Sequence, residues 1–382
     1  MTPRLDWLDD EVAALERGPL YRPLRTRESP QGPTVDLNGR SLLNFGSNDY
    51  LGLAAECRRA IEPTPEKSGG GSGASPAIHG RASCHDRLER LLAEFEKCEQ
   101  ALLFPTGYAT NIGVIPSITG QGDVIFSDAL NHASIIDGCR LSAAKVLVYR
   151  HGDVDHLAEL LRDSRSCRRR LIITDSLFSM DGDFAPLAEI CELAERFDSM
   201  TMIDEAHASG VWGQHGRGVA ELLGVEQAID IRVGTLSKAM GAGGGFVCGS
   251  KNLVTWMRHQ ARSYFFSTAV PEPMVEMAIF GLRLAVAEPW RRETVIAHSQ
   301  LVRQQLNLFG WDTGRSASQI VPVYVGTSQL AMEWMNRLDA ANLFVPAIRP
   351  PSVPQGGALL RLSFSAAHTA EMIEQLLEAF RP

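Results

Sequence analysis

Hydrophobic residues between positions 101 and 248 form short runs that alternate with amphipathic segments. Several runs are rich in Val and Ile and are bounded by Gly or Asp, which is typical of strands. The predicted strands are Ala101–Phe104, Val124–Phe126, Lys145–Tyr149, Leu171–Thr174, Met200–Ile203, Ile231–Gly234 and Gly245–Cys248. The intervening segments favour helices: apolar residues from Leu187 to Phe197 recur every three or four positions, behind Pro186 as first helical residue. Strands that alternate with helices predict a mostly parallel sheet covered on both faces.

The pattern changes after about residue 285. Amphipathic stretches at 292–308, 331–341 and 369–380 surround strand-like runs at Ile320–Val325, Phe344–Ile348 and Leu359–Phe364. This arrangement predicts a smaller α+β domain, in which four prolines stiffen the loop Pro346–Pro354. We therefore expect an N-terminal arm over 1–45, a large domain over 46–285 and a small C-terminal domain over 286–382.

Charge and length narrow the class of protein. At about 150 residues per domain, 382 residues predict two or three structural units. Lys and Arg number 37 against 45 Asp and Glu, and this net charge of −8 argues against nucleic acid as a partner. The N-terminal residues lack a signal peptide's apolar stretch, and no apolar run approaches the roughly 20 residues of a membrane span. We expect a soluble cytoplasmic protein.

Seven cysteines are present, and no two of them have the CxxC spacing of a zinc or redox site. In a reducing compartment, such residues are small buried hydrophobic side chains. The sequence therefore predicts no metal site.

Two segments carry candidate reactive side chains. Asp204 follows the apolar run Met200–Ile203, at the point where a strand ends and a loop begins. Lys238 lies between an apolar stretch and the glycine-rich segment Gly241–Gly245, with no run of like charges beside it. Burial there would favour the neutral amine, and a neutral amine can form a Schiff base with a carbonyl compound. Lys238 is therefore a candidate catalytic residue.

The glycine-rich stretches Gly241–Gly245 and Gly69–Gly73 suggest an alternative, a dinucleotide-binding oxidoreductase. That fingerprint requires a preceding strand, a following helix and an acidic residue about twenty positions later. Neither stretch meets these requirements, so the sequence disfavours this alternative.

Eight segments, in order between residues about 40 and 370, resemble the α-oxoamine synthase family of pyridoxal 5'-phosphate (PLP) enzymes, which have fold type I. They are Asn44–Leu53, His85–Glu89, Gly107–Asn111, Asp128–Ser134, Phe178–Asp183, Asp204–His207, Thr235–Gly241 and Ser267–Thr268. The resemblance implies a large domain with a mostly parallel seven-stranded sheet and a smaller α+β C-terminal domain. The loop Ala74–Arg81 keeps only part of the family's pattern, which leaves the acyl-chain preference open.

The resemblance also implies roles for the cofactor residues. Lys238 would hold PLP covalently, and Asp204 would pair with its pyridine nitrogen. The His132 ring would stack on the cofactor and could also bind substrate, and His207 would reach the phenolic oxygen. The remaining implied contacts are Ser179 in a cofactor-contacting loop, Gly107, Tyr108 and Thr235 at the phosphate, and Ser267 and Thr268 from a second subunit. A homodimer with shared active sites would follow.

Members of the family condense an amino acid with an acyl thioester and lose carbon dioxide. The segments Ala347–Pro354 and Leu360–Phe364 resemble the biotin-pathway member, which implies L-alanine and a pimeloyl thioester of coenzyme A or acyl carrier protein. Substrate-binding residues implied in this way are Arg361 for the carboxylate, Arg349, Ser352 and Arg22 for the acyl thioester, and Asn48 with His132. Two alternatives stay open: a ligase of glycine and acetyl-CoA, and a cofactor-free scaffold subunit of the same fold.

Overall fold

The computed structural model describes residues 3–18, 21–61 and 69–382. The chain divides into two compact units. The large unit comprises Asn48–Ser179 and Asp183–Ile296, and the small unit comprises Met1–Ser47, Met180–Gly182 and Ala297–Pro382. The domain limits at residues 45 and 285 stay a prediction.

The strands are β1 (Thr34–Leu37), β2 (Arg40–Asn44), β3 (Gln100–Phe104), β4 (Val124–Asp128), β5 (Lys145–Tyr149), β6 (Arg170–Asp175), β7 (Met200–Asp204), β8 (Ile231–Thr235), β9 (Gly245–Gly249), β10 (Ile320–Gly326), β11 (Leu343–Phe344), β12 (Ala347–Ile348) and β13 (Ala358–Ser363). The α-helices are α1 (Trp7–Arg17), α2 (Ser83–Phe95), α3 (Gly107–Ile118), α4 (Ala133–Leu141), α5 (Val154–Asp163), α6 (Leu187–Arg196), α7 (Val219–Leu222), α8 (Lys251–Gln260), α9 (Arg262–Phe265), α10 (Glu272–Ala287), α11 (Trp290–Leu308), α12 (Ser328–Ala340) and α13 (Ala370–Phe380). Short 3-10 helices lie at Pro3–Leu5, Glu56–Ile61 and Glu226–Ala228.

The large unit is built on a seven-stranded sheet in the order β3-β9-β8-β7-β6-β4-β5. Strands β8, β7, β6, β4 and β5 pair in parallel, whereas β9 runs antiparallel to both β3 and β8. This confirms the mostly parallel sheet and its seven predicted strands.

The hydrophobic core explains why these runs form strands. Residues of β4 and β8 are buried along their whole length, as expected for strands that are covered on both faces. Phe104, Val114, Ile173, Met202 and Val247 belong to one buried cluster. Burial of each such side chain stabilises the fold by about 1.5–3 kcal/mol.

The parallel strands bring polar residues to one edge of the sheet. Asp128, Asp175, Asp204 and Thr235 are the last residues of β4, β6, β7 and β8. Carboxyl ends of parallel strands form the usual ligand-binding edge of α/β sheets. The fold therefore positions a candidate site at this edge.

The small unit contains two three-stranded sheets, β1-β2-β11 and β10-β13-β12. The N-terminal segment thus contributes a hairpin, which the sequence analysis did not predict. Its two-residue turn is Asn38-Gly39, and both residues have positive φ angles of 49° and 74°. Asn-Gly is the preferred pair for this turn, so the signal was present in the sequence.

The prediction of one strand over Phe344–Ile348 is wrong. β11 pairs with β2, whereas β12 pairs with β13, and Val345 and Pro346 separate the two strands. Proline has no backbone N–H to donate, so a ladder is readily interrupted there. The prediction that Pro186 is the first residue of α6 is also wrong. Pro186 is the N-cap residue, and the helix begins at Leu187.

Three further findings concern residues 3–18, 21–61 and 69–382. All seven cysteines lie within this range and are free. No helix there has both the length and the apolar character that crossing a membrane requires. The same residues contain no cluster of three or more His, Cys, Asp or Glu side chains that could hold a metal ion.

Candidate active site

Lys238 lies in a tight turn that follows β8. The turn closes with hydrogen bonds from Gly241 N–H to Lys238 O and from Ala242 N–H to Leu236 O. Gly241 has a φ of 64°, and a Cβ there would lie 2.6 Å from the Ala54 nitrogen, so only glycine fits. Nζ of the half-buried Lys238 lies 2.8 Å from Nε2 of His207. The turn therefore presents an amine to an imidazole.

His207 is held from its other side. Its Nδ1 lies 2.7 Å from the hydroxyl of Tyr50, and that hydroxyl donates to Oδ1 of Asn48 at 3.1 Å. Tyr50 is completely buried, and His207 is buried as well. Four side chains thus form a continuous hydrogen-bonded chain that ends at the Lys238 amine.

Asp204 ends β7 as a buried carboxylate. Its Oδ2 accepts a hydrogen bond of 2.7 Å from Nδ2 of Asn111, and its Oδ1 accepts one of 2.9 Å from Ala206 N–H. Asn111 Nδ2 also donates to Ser134 Oγ, whereas its buried Oδ1 has no hydrogen-bond partner. A fixed carboxylate of this kind can bind a cationic N–H group through a charge-assisted hydrogen bond.

His132 precedes α4 and caps it. Its Nδ1 accepts a 3.2 Å hydrogen bond from Ser134 N–H and lies 2.7 Å from Ser134 Oγ, and its own backbone N–H donates to Oδ2 of Asp175 at 2.7 Å. Burial lowers the pKa of the His132 imidazole; the charge of Asp204 raises it and that of Lys238 lowers it further. The ring is therefore neutral at neutral pH and can lie against a planar group.

The N-terminus of α3 forms an anion-binding feature. Thr106 caps the helix by accepting from Ala109 N–H, and Gly107 is its first residue. A Cβ on Gly107 would lie 3.3 Å from Cβ of Thr235, and a Cβ on Gly245 would lie 2.5 Å from the Gly107 nitrogen. Small residues therefore leave the backbone N–H groups accessible, and a helix N-terminus attracts phosphate.

The side chain of Tyr108, the residue after Gly107, contacts α4. It is 44% exposed and its hydroxyl donates to Asp137 of α4. This bond raises the pKa of Tyr108. Its role at a phosphate stays a prediction.

The loop after β6 carries Ser179, which is half-buried. A bridge between Leu177 and Phe184 closes the base of this loop. Asp183, next to the bridge, lies 3.0 Å from Nε2 of His151, whose Nδ1 lies 3.0 Å from Asp128. His151 therefore ties the Ser179 loop to the end of β4.

Ser267 and Thr268 follow α9; Ser267 is half-buried and Thr268 exposed. The prediction that both residues act across a subunit boundary stays a prediction.

Three of the predicted substrate residues of the small unit, Arg22, Arg349 and Ser352, are joined by hydrogen bonds. Nη2 of Arg22 donates to the carbonyls of Arg349 and Pro350 at 3.3 and 3.2 Å, and Ser352 N–H donates to Arg349 O at 3.1 Å. Burial and then the charge of Arg22 lower the pKa of Arg349. Arg361 is buried in β13 and donates to Ser363 Oγ at 2.7 Å.

The side chains of the large unit fit PLP. An amine suits its aldehyde, a fixed carboxylate suits its protonated pyridine nitrogen, and a helix N-terminus suits its phosphate. Sequence reasoning missed Asp175, Asn111 and Tyr50, which orient His132, Asp204 and His207. Asp175 could have been found, because it directly follows the predicted strand Leu171–Thr174, as Asp204 follows Met200–Ile203.

Comparisons with known proteins show the family and the fold to which the chain is similar. The sequence matches the model of the aminotransferase class I and II family over residues 40–380. It is 43% identical to an 8-amino-7-oxononanoate synthase of Symbiobacterium thermophilum, a match that covers 98% of this chain and 96% of the relative. The fold is similar to Sphingomonas wittichii serine palmitoyltransferase, with a TM-score of 0.91, 32% identity and coverage of 100% of this chain and 97% of the other. A structure of SPT with a PLP internal aldimine has a TM-score of 0.90 and 30% identity, and covers 98% of this chain and 97% of that one.

Proposed function

Because the chain belongs to the aminotransferase class I and II family, we propose that it is a PLP-dependent acyltransferase that makes 8-amino-7-oxononanoate for biotin biosynthesis. It condenses L-alanine with a pimeloyl thioester of coenzyme A or acyl carrier protein, and carbon dioxide leaves. The contact of 2.8 Å between the Lys238 amine and His207, at the sheet edge that Asp204 shares, carries this proposal. The similarity to 8-amino-7-oxononanoate synthase over nearly the whole chain supports the choice of substrates.

Bound PLP supplies an electron sink for the carbon from which a bond is broken. Lys238 would hold the cofactor covalently, and Asp204 would keep its ring nitrogen protonated. His132 would lie against the ring, and His207 and Ser179 would contact the cofactor. Backbone N–H groups at Gly107 and Tyr108, with the hydroxyl of Thr235, bind the phosphate. Ser267 and Thr268 of a second copy complete this phosphate site in a homodimer.

Lys238 is also the base of the reaction. A neutral amine at this position takes the proton from Cα of alanine, and returns a proton after carbon dioxide leaves. His207, whose Nε2 lies 2.8 Å from this amine, orients it and can accept a proton from it. A proton therefore moves over a short distance between the half-buried Lys238 and the buried His207.

Substrate recognition rests on arginine and amide groups. Arg361 binds the alanine carboxylate through its planar pair of N–H donors, and Asn48 and His132 supply further hydrogen bonds. Arg349, Ser352 and Arg22, which contact one another through backbone carbonyls, bind the acyl thioester.

A substrate panel tests the proposal. Alanine, glycine and serine are crossed with acetyl, pimeloyl and palmitoyl thioesters, each on coenzyme A and on acyl carrier protein, and product is measured by mass spectrometry. We expect alanine with pimeloyl thioester to give the highest kcat/KM. Higher turnover of glycine with acetyl-CoA would assign the chain as a 2-amino-3-ketobutyrate CoA ligase, and serine with palmitoyl thioester would assign the activity of the S. wittichii enzyme. A protein that stays colourless with added PLP would be a scaffold subunit.

A further inference from the structure

We propose that Tyr50 is a positioning residue, which fixes the tautomer of His207 so that an unprotonated Nε2 faces the Lys238 amine. Neither Tyr50 nor a tautomer requirement follows from the family's cofactor contacts described above. The effect on catalysis rests on the proposed function, whereas the effect on His207 itself does not.

The direction of the hydrogen bonds leads to this inference. The side-chain oxygen of Asn48 can only accept, so the single hydroxyl proton of Tyr50 points toward Asn48 at 3.1 Å. The oxygen of Tyr50 is then an acceptor toward Nδ1 of His207 at 2.7 Å. In a neutral imidazole one nitrogen carries the proton, so Nδ1 carries it here and Nε2 has a lone pair.

The geometry on the other side of the ring agrees with this assignment. Nε2 lies 2.8 Å from Nζ of Lys238, and an ammonium group can only donate. With the proton on Nε2, two N–H groups would face each other at this distance. The chain of Asn48, Tyr50, His207 and Lys238 therefore has one consistent order of donors and acceptors while the lysine is protonated.

The tautomer matters because an ammonium group is neither a nucleophile nor a base. The Nε2 lone pair can take a proton from Nζ: the N–H bond at the lysine breaks, an N–H bond forms on the ring, and the positive charge moves to His207. The Nδ1–H bond to Tyr50 persists in the imidazolium. Tyr50 thus keeps His207 ready to generate the neutral amine.

Nitrogen NMR of the full-length chain, labelled with ¹⁵N-histidine and prepared without PLP, tests the tautomer directly. A His207→Asn variant identifies the His207 signals among the 10 histidines. At about pH 8, where an ordinary imidazole is neutral, we expect a protonated Nδ1 and an unprotonated Nε2. A protonated Nε2 in the wild-type chain would overturn the proposal.

Two variants test the cause. Tyr50→Phe keeps the buried ring and removes the hydroxyl, so only the Lys238 amine still orients the imidazole, and we expect the Nδ1–H preference of His207 to weaken. Asn48→Ala removes the acceptor of the Tyr50 hydroxyl, whose proton can then turn to Nδ1, and we expect the share of the Nε2–H tautomer to rise, with a neutral Lys238 amine as its acceptor. Tyr264→Phe is the matched control, because Tyr264 is another buried tyrosine of the large unit. An unchanged His207 spectrum in both the Tyr50 and the Asn48 variants would refute the assignment.

The rate of PLP attachment provides the functional readout. After PLP is added, we expect Tyr50→Phe to form the lysine linkage about tenfold more slowly than wild type, which corresponds to about 1.4 kcal/mol in the barrier. Tyr264→Phe should match wild type. Absence of PLP attachment in the wild-type chain would contradict the proposed function and leave the NMR result on Tyr50 intact. Equal attachment rates for Tyr50→Phe and wild type would contradict the positioning role and leave the function intact.

Discussion

Asp175 and Asp204 are register partners at the ends of β6 and β7, and both are buried. Their hydrogen bonds differ: Asp204 accepts from the Asn111 side chain, whereas Asp175 accepts from the backbone N–H of His132. Burial raises the pKa of Asp175 well above its ordinary value, and the charge of Asp204 raises it further. Neighbouring carboxyl groups of this kind take separate roles, one charged and one protonated.

Asparagine variants of the two aspartates should therefore differ in their effect on kcat. Asp175→Asn copies the protonated form and keeps an acceptor for His132, so we expect kcat within about threefold of wild type. Asp204→Asn removes the charge that holds the cofactor nitrogen protonated, and we expect kcat to fall about 10²–10³-fold. Steady-state kinetics at saturating PLP measures both. A larger loss in the Asp175 variant would show that the roles are reversed.

The pH dependence of stability provides a second test of Asp175. A raised pKa in the folded state means that the unfolded chain loses its proton first, so this group reduces the free energy of unfolding as pH rises above about 4. We expect the free energy of unfolding of the PLP-free Asp175→Asn variant to depend less on pH between about 4 and 7 than that of the wild-type protein. Urea unfolding at several pH values measures the difference. Parallel curves for the two proteins would contradict a protonated Asp175.

The sheet could be predicted because its strands bury both faces. Runs such as Val124–Phe126 are apolar at every position, and β4 is buried throughout. The hairpin β1–β2 was not predicted, although Asn38-Gly39 marks its turn, because its strands are only 4 and 5 residues long. The split of Phe344–Ile348 depends on pairing with two different strands, β2 and β13, which local propensity does not report.

The site was predictable where chemistry needs a particular residue type. Lys238 and Asp204 stand out by their positions next to apolar segments, whereas the roles of His132 and His207 come from motif resemblance, and all four roles stay proposals. The residues that orient them were not predictable in this way. Tyr50 and His207 are 157 positions apart, and only the fold brings the hydroxyl to the ring.

Covalent attachment can be mapped directly. Borohydride reduction of the PLP-loaded protein, followed by peptide mass spectrometry, should place the pyridoxyl group on Lys238. Lys238→Ala should keep the fold and lose turnover, because the same amine is Schiff-base partner and base. Lys251→Ala, at the exposed start of α8, is the control that should retain both. A label on Lys251 or Lys145 would exclude Lys238 as the attachment site.

Arg361 should determine the affinity for alanine. A lysine at this position keeps the charge but cannot form the two parallel N–H bonds to a carboxylate. We expect Arg361→Lys to raise the KM for alanine about tenfold or more, with a smaller change in the KM for the pimeloyl thioester. Arg337→Lys, on the exposed surface of α12, is the matched control. An unchanged KM for alanine would exclude Arg361 as the carboxylate ligand, whereas changes at Arg22 or Ser352 should act mainly on the thioester.

His151 should make the site sensitive to alkaline pH. Its imidazole is 14% exposed, lies edge-on to Phe178 and contacts a carboxylate at each nitrogen, Asp128 and Asp183. Burial by itself lowers the pKa of His151, but hydrogen bonds and charges from the two aspartates outweigh burial and raise the pKa from 6.5 to about 9. Both ring nitrogens therefore carry protons at neutral pH, and the cation joins the end of β4 to the Ser179 loop.

The sign of the effect follows from this raised pKa. The stabilisation is fully present below the unfolded value of about 6.5 and is lost as pH rises through about 9, because the folded protein then loses the proton as well. We expect His151→Gln to reduce the free energy of unfolding by about 2 kcal/mol at pH 7 and by much less at pH 10. The affinity for PLP should also fall at pH 7, because the Ser179 loop loses its hydrogen bond to His151. His259→Gln, at the exposed end of α8, should change neither quantity. A loss in His151→Gln that is equal at pH 7 and pH 10 would mean that the ring acts by packing against Phe178 and not by its charge.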